Sequence, residues 1–188
     1  MLEEQTSEFM YVVFSGKAKV IKISQEGREK ILAIREKGDF FGEMALLDGK
    51  TSPATVVAME AAVVGLISKD NFKKCLYEND KALKAIVSLL CSRLREAWMM
   101  LKMLSLADAE QRVRAMLCQI GAYYGEEGQK GTVIQMRLTH QDIANYASVS
   151  RETVTRLLDK FSKAGEIRIL DRRTLILKPG FGDKIQFL

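Results

Sequence analysis

Residues 138–161 read LTHQDIANYASVSRETVTRLLDKF, two short helical patterns separated by a break. Thr139, followed three residues later by Asp142, makes an N-terminal capping pair, and Ile143, Ala144 and Ala147 supply an apolar stripe at helical spacing. The pattern stops at 147–150, Ala-Ser-Val-Ser. Ser150 then N-caps a second helix whose Val154, Leu157, Leu158 and Phe161 predict an inward face. The opposite face carries Arg151, Glu152, Thr155 and Arg156. Such a pair is a helix-turn-helix, and side chains at the start of its second helix reach base edges when that end enters the major groove.

Arginine can donate two hydrogen bonds to guanine O6 and N7, and a glutamate can accept from cytosine N4. A carboxylate facing a polyanion lowers non-specific affinity, so Glu152 argues for reading over mere attraction. Glu152 and Arg156 are also spaced as a surface ion pair worth roughly a few tenths of a kcal/mol; the tandem helical pattern around them favours the reading face. Thr139, His140 and Ser150, at the two helix starts, are the candidates for backbone phosphate. His140, the single histidine, suits phosphate or solvent better than a metal.

Downstream, Gly165 ends the second helix, and 166–170 and 174–177 read as two strands joined by Asp171-Arg172-Arg173. Arg172 and Arg173 in that turn are further phosphate candidates on a wing. Upstream, Asp108 with Gln111 caps a helix over 109–124, followed by a polar loop 125–131 and a strand over 133–136. The net charge is +5, and residues 137–178 hold nine basic against five acidic residues, so most of the excess lies here.

The first part of the chain has a different rhythm. Gly16, Gly27, Gly38 and Gly49 recur every eleven residues, with β-branched runs at 11–14, 18–23, 31–34, 55–58 and 63–67. This predicts a small antiparallel sandwich or barrel. After a short helix capped by Ser68, a long helix is expected over 80–106. Its Leu83, Val87, Leu90, Leu94, Ala97, Leu101 and Leu104 alternate steps of four and three, the heptad spacing of a coiled-coil seam, which predicts a homodimer. Ile86, Trp98 and the neighbouring methionines form a second apolar stripe suited to packing on the chain's own strands.

SRETVTRLL (150–158), preceded by LTHQDIA (138–144) and followed by a basic strand pair, resembles the DNA-binding domain of the CRP/FNR family, and DFFGEMALLDG (39–49) resembles that family's cyclic-nucleotide-type sensor signature. The likeness covers nearly the whole chain and implies an α+β fold in three parts. These are an antiparallel β-roll (jelly roll) at 1–79, a dimerisation helix at 80–107 and a winged helix-turn-helix at 108–188. It also implies double-stranded DNA with a palindromic operator as partner, and it allows contact with RNA polymerase. Relatives carry a further stretch ahead of the segment resembling 8–20, so the roll is expected to be incomplete at its N-terminus, with an open sheet edge.

In cyclic-nucleotide-binding relatives the pocket lies around the positions of Gly42, Glu43, Met44, Ser52, Thr55, Arg93, Ala97 and Trp98. Glu43 matches the glutamate that holds the ribose. The phosphate-binding arginine and serine fall on Ser52 and Pro53, so the counter-charge is gone and Pro53 lacks a backbone donor. The two hydroxyl residues facing adenine align with Ala97 and Trp98. Arg93 is placed to pair with Glu43. These departures argue against cAMP and leave the effector unidentified; the alternatives are a cAMP-responsive regulator with a rearranged phosphate site, or a ligand-binding regulatory subunit without a DNA role.

Composition is that of a globular protein, 47% hydrophobic and 28% charged. The longest apolar run, 61–67, is too short for a bilayer, and no signal segment opens the chain, so a cytoplasmic protein without membrane contact is expected. Cys75, Cys91 and Cys118 are widely spaced within helical patterns and read as buried free thiols. No nucleophile-base set, paired carboxylate or metal-ligand spacing appears: no catalytic residue, metal or cofactor is expected, and the chain is not read as an enzyme.

Overall fold

The computed structural model describes residues 1–171 and 174–185 and divides into two compact units, Met1–Leu94 and Arg95–Leu188. Each is built for its own reasons.

In the first unit, six strands form two antiparallel sheets: β1 (Phe9–Ser15), β2 (Ala18–Ile23), β3 (Glu29–Arg35), β4 (Phe40–Phe41), β5 (Thr55–Ala58) and β6 (Val63–Ser68). Strand order is β4-β1-β6 in one sheet and β3-β2-β5 in the other. Every expected strand is present, with ends moved by two residues or fewer. The signature at 39–49 folds into more than a turn. Phe40–Phe41 is the short strand β4 and Glu43–Asp48 is a one-and-a-half-turn helix, α1, bracketed by Gly42 and Gly49 with φ of 88° and 73°. A Cβ at Gly42 would also press on the Phe9 carbonyl oxygen at 3.2 Å, so backbone conformation and close approach both favour glycine there.

Helix α2 (Lys69–Glu78) starts where Ser68 accepts from the Asn71 N–H, as its sequence predicts. Helix α3 (Asp80–Leu106) follows and crosses the boundary between the units. Met10, Leu46, Phe72 and Ile86 make a buried cluster, with Val12, Phe40, Ile67, Leu76 and Leu90 packed on it. Ile86 therefore packs as the apolar pattern predicts. Trp98 is 62% exposed.

The second unit holds α4 (Ala109–Tyr124), a four-stranded sheet, and two short helices, α5 (His140–Ala147) and α6 (Arg151–Lys163). The sheet order is β7-β8-β10-β9, from β7 (Gly125–Gly128), β8 (Gly131–Gln135), β9 (Ile167–Ile169) and β10 (Thr174–Leu177). The polar stretch expected as a loop at 125–131 is in fact a hairpin, with Gly125 opposite Ile134 and Gly128 opposite Gly131. Its polar side chains are compatible with a strand because β7 is the sheet edge and Glu126 and Glu127 face solvent.

The thiols differ from expectation. Cys75 and Cys91 are exposed, on the outer sides of α2 and α3, and only Cys118 is half-buried. Burial pushes the Cys118 thiol up to about 11, so it stays protonated and inert. Among the described residues no helix is long and apolar enough to cross a membrane.

Candidate nucleic-acid interface and effector pocket

The interface is assembled from local hydrogen bonds. Thr139 Oγ1 accepts from the Asp142 N–H at 3.0 Å, and Asp142 Oδ2 accepts from the Thr139 N–H at 3.1 Å, so the expected capping pair is complete. Ser148 ends α5 in the left-handed region at φ 53°, the cost of a tight turn without glycine. Ser150 Oγ then accepts from the Thr153 N–H at 3.1 Å and starts α6.

Val154, Leu157, Leu158 and Phe161 are buried. They meet a unit core that includes Val113, Met116, Leu117 and Ile120 of α4, none more than 1% exposed. With that face committed, Arg151, Glu152, Thr155 and Arg156 are all exposed together on the other. Hydrogen bonds from its own backbone N–H, and next from the Ser150 hydroxyl, hold the Glu152 carboxyl below the usual carboxylate range. At neutral pH it is an acceptor only, the form that pairs with a cytosine amino group.

His140 opens α5, and its Nδ1 lies 2.8 Å from Thr155 Oγ1. A cavity of about 500 Å³ runs beside it, lined by Arg137, Thr139, His140, Ile143 and Leu158 together with Ile169, Asp171 and Leu175 of the β9–β10 hairpin. Asp171 closes that hairpin by accepting from the Thr174 N–H at 2.9 Å. Arg172 and Arg173, the wing candidates, lie outside the described residues.

One residue that matters to this unit escaped the sequence reading. Arg114 on α4 is 2% exposed, its guanidinium stacked 4.4 Å from the Phe161 ring and 4.5 Å from the Phe181 ring. It donates to Glu166 Oε2 at 2.7 Å and to the Phe181 carbonyl at 3.0 Å. Arg114 thereby ties the end of the recognition helix to the segment after β10. The available signal was an arginine inside the apolar stripe Val113, Met116, Leu117 and Ile120.

In the roll, the polar pocket candidates are committed to partners within the chain. Glu43, 1% exposed, accepts from Arg93 Nη1, and Arg93 Nη2 donates to the Phe40 carbonyl. Ser52, 2% exposed, gives its hydroxyl proton to the Ala54 carbonyl at 2.9 Å and its N–H to the Gln5 carbonyl at 2.9 Å. Thr55 Oγ1 accepts from the Glu3 N–H at 2.9 Å. Gly42 caps α1, while Met44 is 44% exposed. Ala97 and Trp98 are exposed on the later part of α3.

Along the predicted seam, Leu83, Val87, Leu94, Ala97 and Leu101 are exposed, whereas Leu90 and Leu104 are half-buried.

Residues 1–79 match the cyclic nucleotide-binding domain family, and residues 111–180 the Crp-like helix-turn-helix domain family. The "Cyclic AMP receptor protein" of Thermus thermophilus is 32% identical over 160 residues, 85% of this chain and 71% of that protein. The "CRP-like cAMP-activated global transcriptional regulator" of Mycobacterium tuberculosis is 29% identical over 176 residues, covering 93% and 78% respectively. Among solved structures, CooA from Carboxydothermus hydrogenoformans (a mutant) superimposes with a TM-score of 0.81 at 26% identity over 99% of this chain and 81% of that one. FixK2 from Bradyrhizobium japonicum shares the fold, with a TM-score of 0.85 at 22% identity over 98% and 88%.

Proposed function

Because the chain belongs to the CRP/FNR family and is a DNA-binding transcription regulator, we propose that it works as a cytoplasmic homodimer that reads an inverted repeat and does not take cAMP as its effector. The family is one of regulators, not enzymes. The observation that carries the reading is the division of α6: one face buried, and Arg151, Glu152, Thr155 and Arg156 exposed together at its capped start. In this reading Arg151 and Arg156 donate to guanines, Glu152 accepts from a cytosine, and Thr139, His140, Ser150, Arg172 and Arg173 hold phosphate. The half-sites resemble the family's TGTGA and lie about one helical turn, ~34 Å, apart.

Two copies meet along the 83-87-90-94-97-101-104 stripe of α3. Five of these side chains are exposed on a single chain, and a contiguous apolar stripe of that kind marks a protein interface. RNA polymerase is a further partner in this reading. The Thermus relative is named for cyclic AMP, but the present chain's Ser52 has already given its hydroxyl and amide protons to its own backbone. Selection from a random DNA library tests the proposal. An enriched inverted repeat supports it; a library that yields no symmetric motif sinks it.

A further inference from the structure

His140 is the chain's single histidine, and its ring touches the reading face: Nδ1 lies 2.8 Å from the Thr155 hydroxyl. The same hydroxyl lies 3.1 Å from the Arg151 carbonyl oxygen, one helical turn back. A hydroxyl has one proton and a carbonyl oxygen only accepts. With the Thr155 proton on the Arg151 carbonyl oxygen, the hydroxyl oxygen is left to accept from an Nδ1–H, the arrangement that suits an imidazolium, which donates at both nitrogens. That leaves Nε2, which has no hydrogen-bond partner among the described residues. With Nδ1 protonated, Nε2 is a bare lone pair in the neutral ring and an N–H in the imidazolium.

The position of the ring decides what Nε2 meets. It sits at the start of α5 against an exposed residue of α6, on the flank of the face that enters the groove. Phosphate oxygens pass such helix starts. A phosphate oxygen repels a lone pair and accepts from an N–H. We propose that His140 grips the DNA backbone as an imidazolium, Nδ1–H on Thr155 and Nε2–H on a phosphate oxygen, so that specific DNA binding takes up one proton from solvent per protomer at this ring. The inference rests on the reading of α6 as the base-reading helix.

The charged groups around the ring come from four elements. Arg137 of the β8–α5 link and Asp171 of the β9–β10 turn line the same cavity, Asp142 of α5 is engaged in the capping box, and α6 contributes the exposed Arg151, Glu152 and Arg156. Both signs surround the ring in the free protein. DNA adds only negative charge, which is why the proton arrives with it.

The test uses the full chain and its selected operator duplex, with affinity measured between about pH 8 and pH 6, the interval over which histidine changes charge. Wild-type affinity should rise as pH falls, by at most about tenfold per pH unit for each protomer. The salt slope should steepen by about 0.9 per protomer at the lower pH. His140→Gln should leave both flat, and His140→Arg should bind tightly at every pH. Calorimetry of the wild type in two buffers of different ionisation enthalpy reads the proton directly and needs no variant. Thr155→Val, which keeps the side-chain shape and removes the ring's partner, should reduce the pH dependence. A wild-type profile superimposable on that of His140→Gln, or no proton uptake, overturns the inference. Absence of sequence-specific binding at every pH would instead overturn the regulator reading on which it rests.

Discussion

Glu43 in the roll and Glu152 at the start of α6 sit in motifs of equal regularity and in opposite surroundings. Glu43 is 1% exposed and bound to Arg93 of the same chain. Glu152 is exposed, its carboxyl held below the usual range by its own backbone N–H, the Ser150 hydroxyl and the nearby charge of Arg151. The contrast extends to their neighbours. Around Glu43 the hydroxyl of Ser52 and the guanidinium of Arg93 are turned inward onto backbone carbonyls. Around Glu152 the caps satisfy the helix ends, while the side chains of Arg151 and Arg156 enter no ion pair among the described residues. A carboxylate enclosed with a cation holds a fold; one left in solvent with free lone pairs is available to a donor from another molecule. A motif therefore marks where a chain must be special, and burial decides whether that chemistry serves the fold or a partner.

The comparison breaks most completely if the reading unit has no second copy to work with. Leu94→Glu with Leu101→Glu puts two carboxylates into the proposed seam. Monomers should appear in sedimentation, and affinity for the inverted repeat should fall by about 100-fold or more as the linked second contact is lost. A native chain that sediments as a monomer at roughly micromolar concentration would remove the seam from the account.

Next in size are the two glutamates themselves. Arg93→Met leaves Glu43 buried without its cation and should cost about 3–5 kcal/mol, read from the urea midpoint. Glu152→Ala should change stability by no more than about 0.5 kcal/mol while relaxing discrimination at one half-site position by about 1–3 kcal/mol. Should Arg93→Met prove as stable as the wild type, Glu43 would not be a structural carboxylate and the contrast would fall.

The helix-turn-helix was legible because its signals are local. Thr139 caps through Asp142 and Ser150 through the N–H three residues on, and the apolar period runs within thirteen residues. The Glu43–Arg93 pair spans fifty residues of sequence and came from the resemblance, not from spacing. Arg114 left only its place within an apolar stripe as a signal, because what buries it comes from Phe161, Glu166 and Phe181, far along the chain. The β7–β8 hairpin was missed for a related reason: its Gly-Glu-Glu-Gly strand has no apolar alternation and is held by backbone pairing and a hydrogen bond from the Thr132 hydroxyl to Glu127. Exposure of Cys75 and Cys91 depended on which side of each helix faced the core, a choice the short apolar runs around them left open.

Glu166 sharpens the comparison, since it is an inward-committed carboxylate within the reading unit. Burial raises its carboxyl, but hydrogen bonds from Lys184 and Arg114, with their charges, outweigh this and set it below the usual range. A carboxylate depressed in the folded state contributes stability that is present above its unfolded value and lost as pH falls through the folded one. Stability to thermal unfolding should therefore fall on acidification from about pH 5 downward. Glu166→Gln should be less stable at neutral pH by about 1–3 kcal/mol and show a flatter acid slope. An acid slope identical in the two proteins would show that the Arg114 cluster does not depend on this charge.

The smallest expected effect is the response to cAMP. A cyclic phosphate entering the roll would have to shed water and find donors. At the aligned turn Pro53 has no N–H, Ser52 has given its hydroxyl proton to Ala54 and its amide to Gln5, and Thr55 accepts from Glu3. Arg93, half-buried beside Glu43, is already bound to Glu43 and Phe40. Releasing it for the ligand would strand Glu43 beside an anion, which is worse than leaving the pair intact. Lys50 is exposed after α1, and a solvated lysine offers an incoming phosphate only a screened charge. Calorimetry should accordingly find no binding below about millimolar, where the gain is only about 4 kcal/mol, and operator affinity should not change. A micromolar dissociation constant accompanied by tighter DNA binding would mean that the roll can release its inward-turned groups to a ligand, and the difference between Glu43 and Glu152 would then be one of state and not of design.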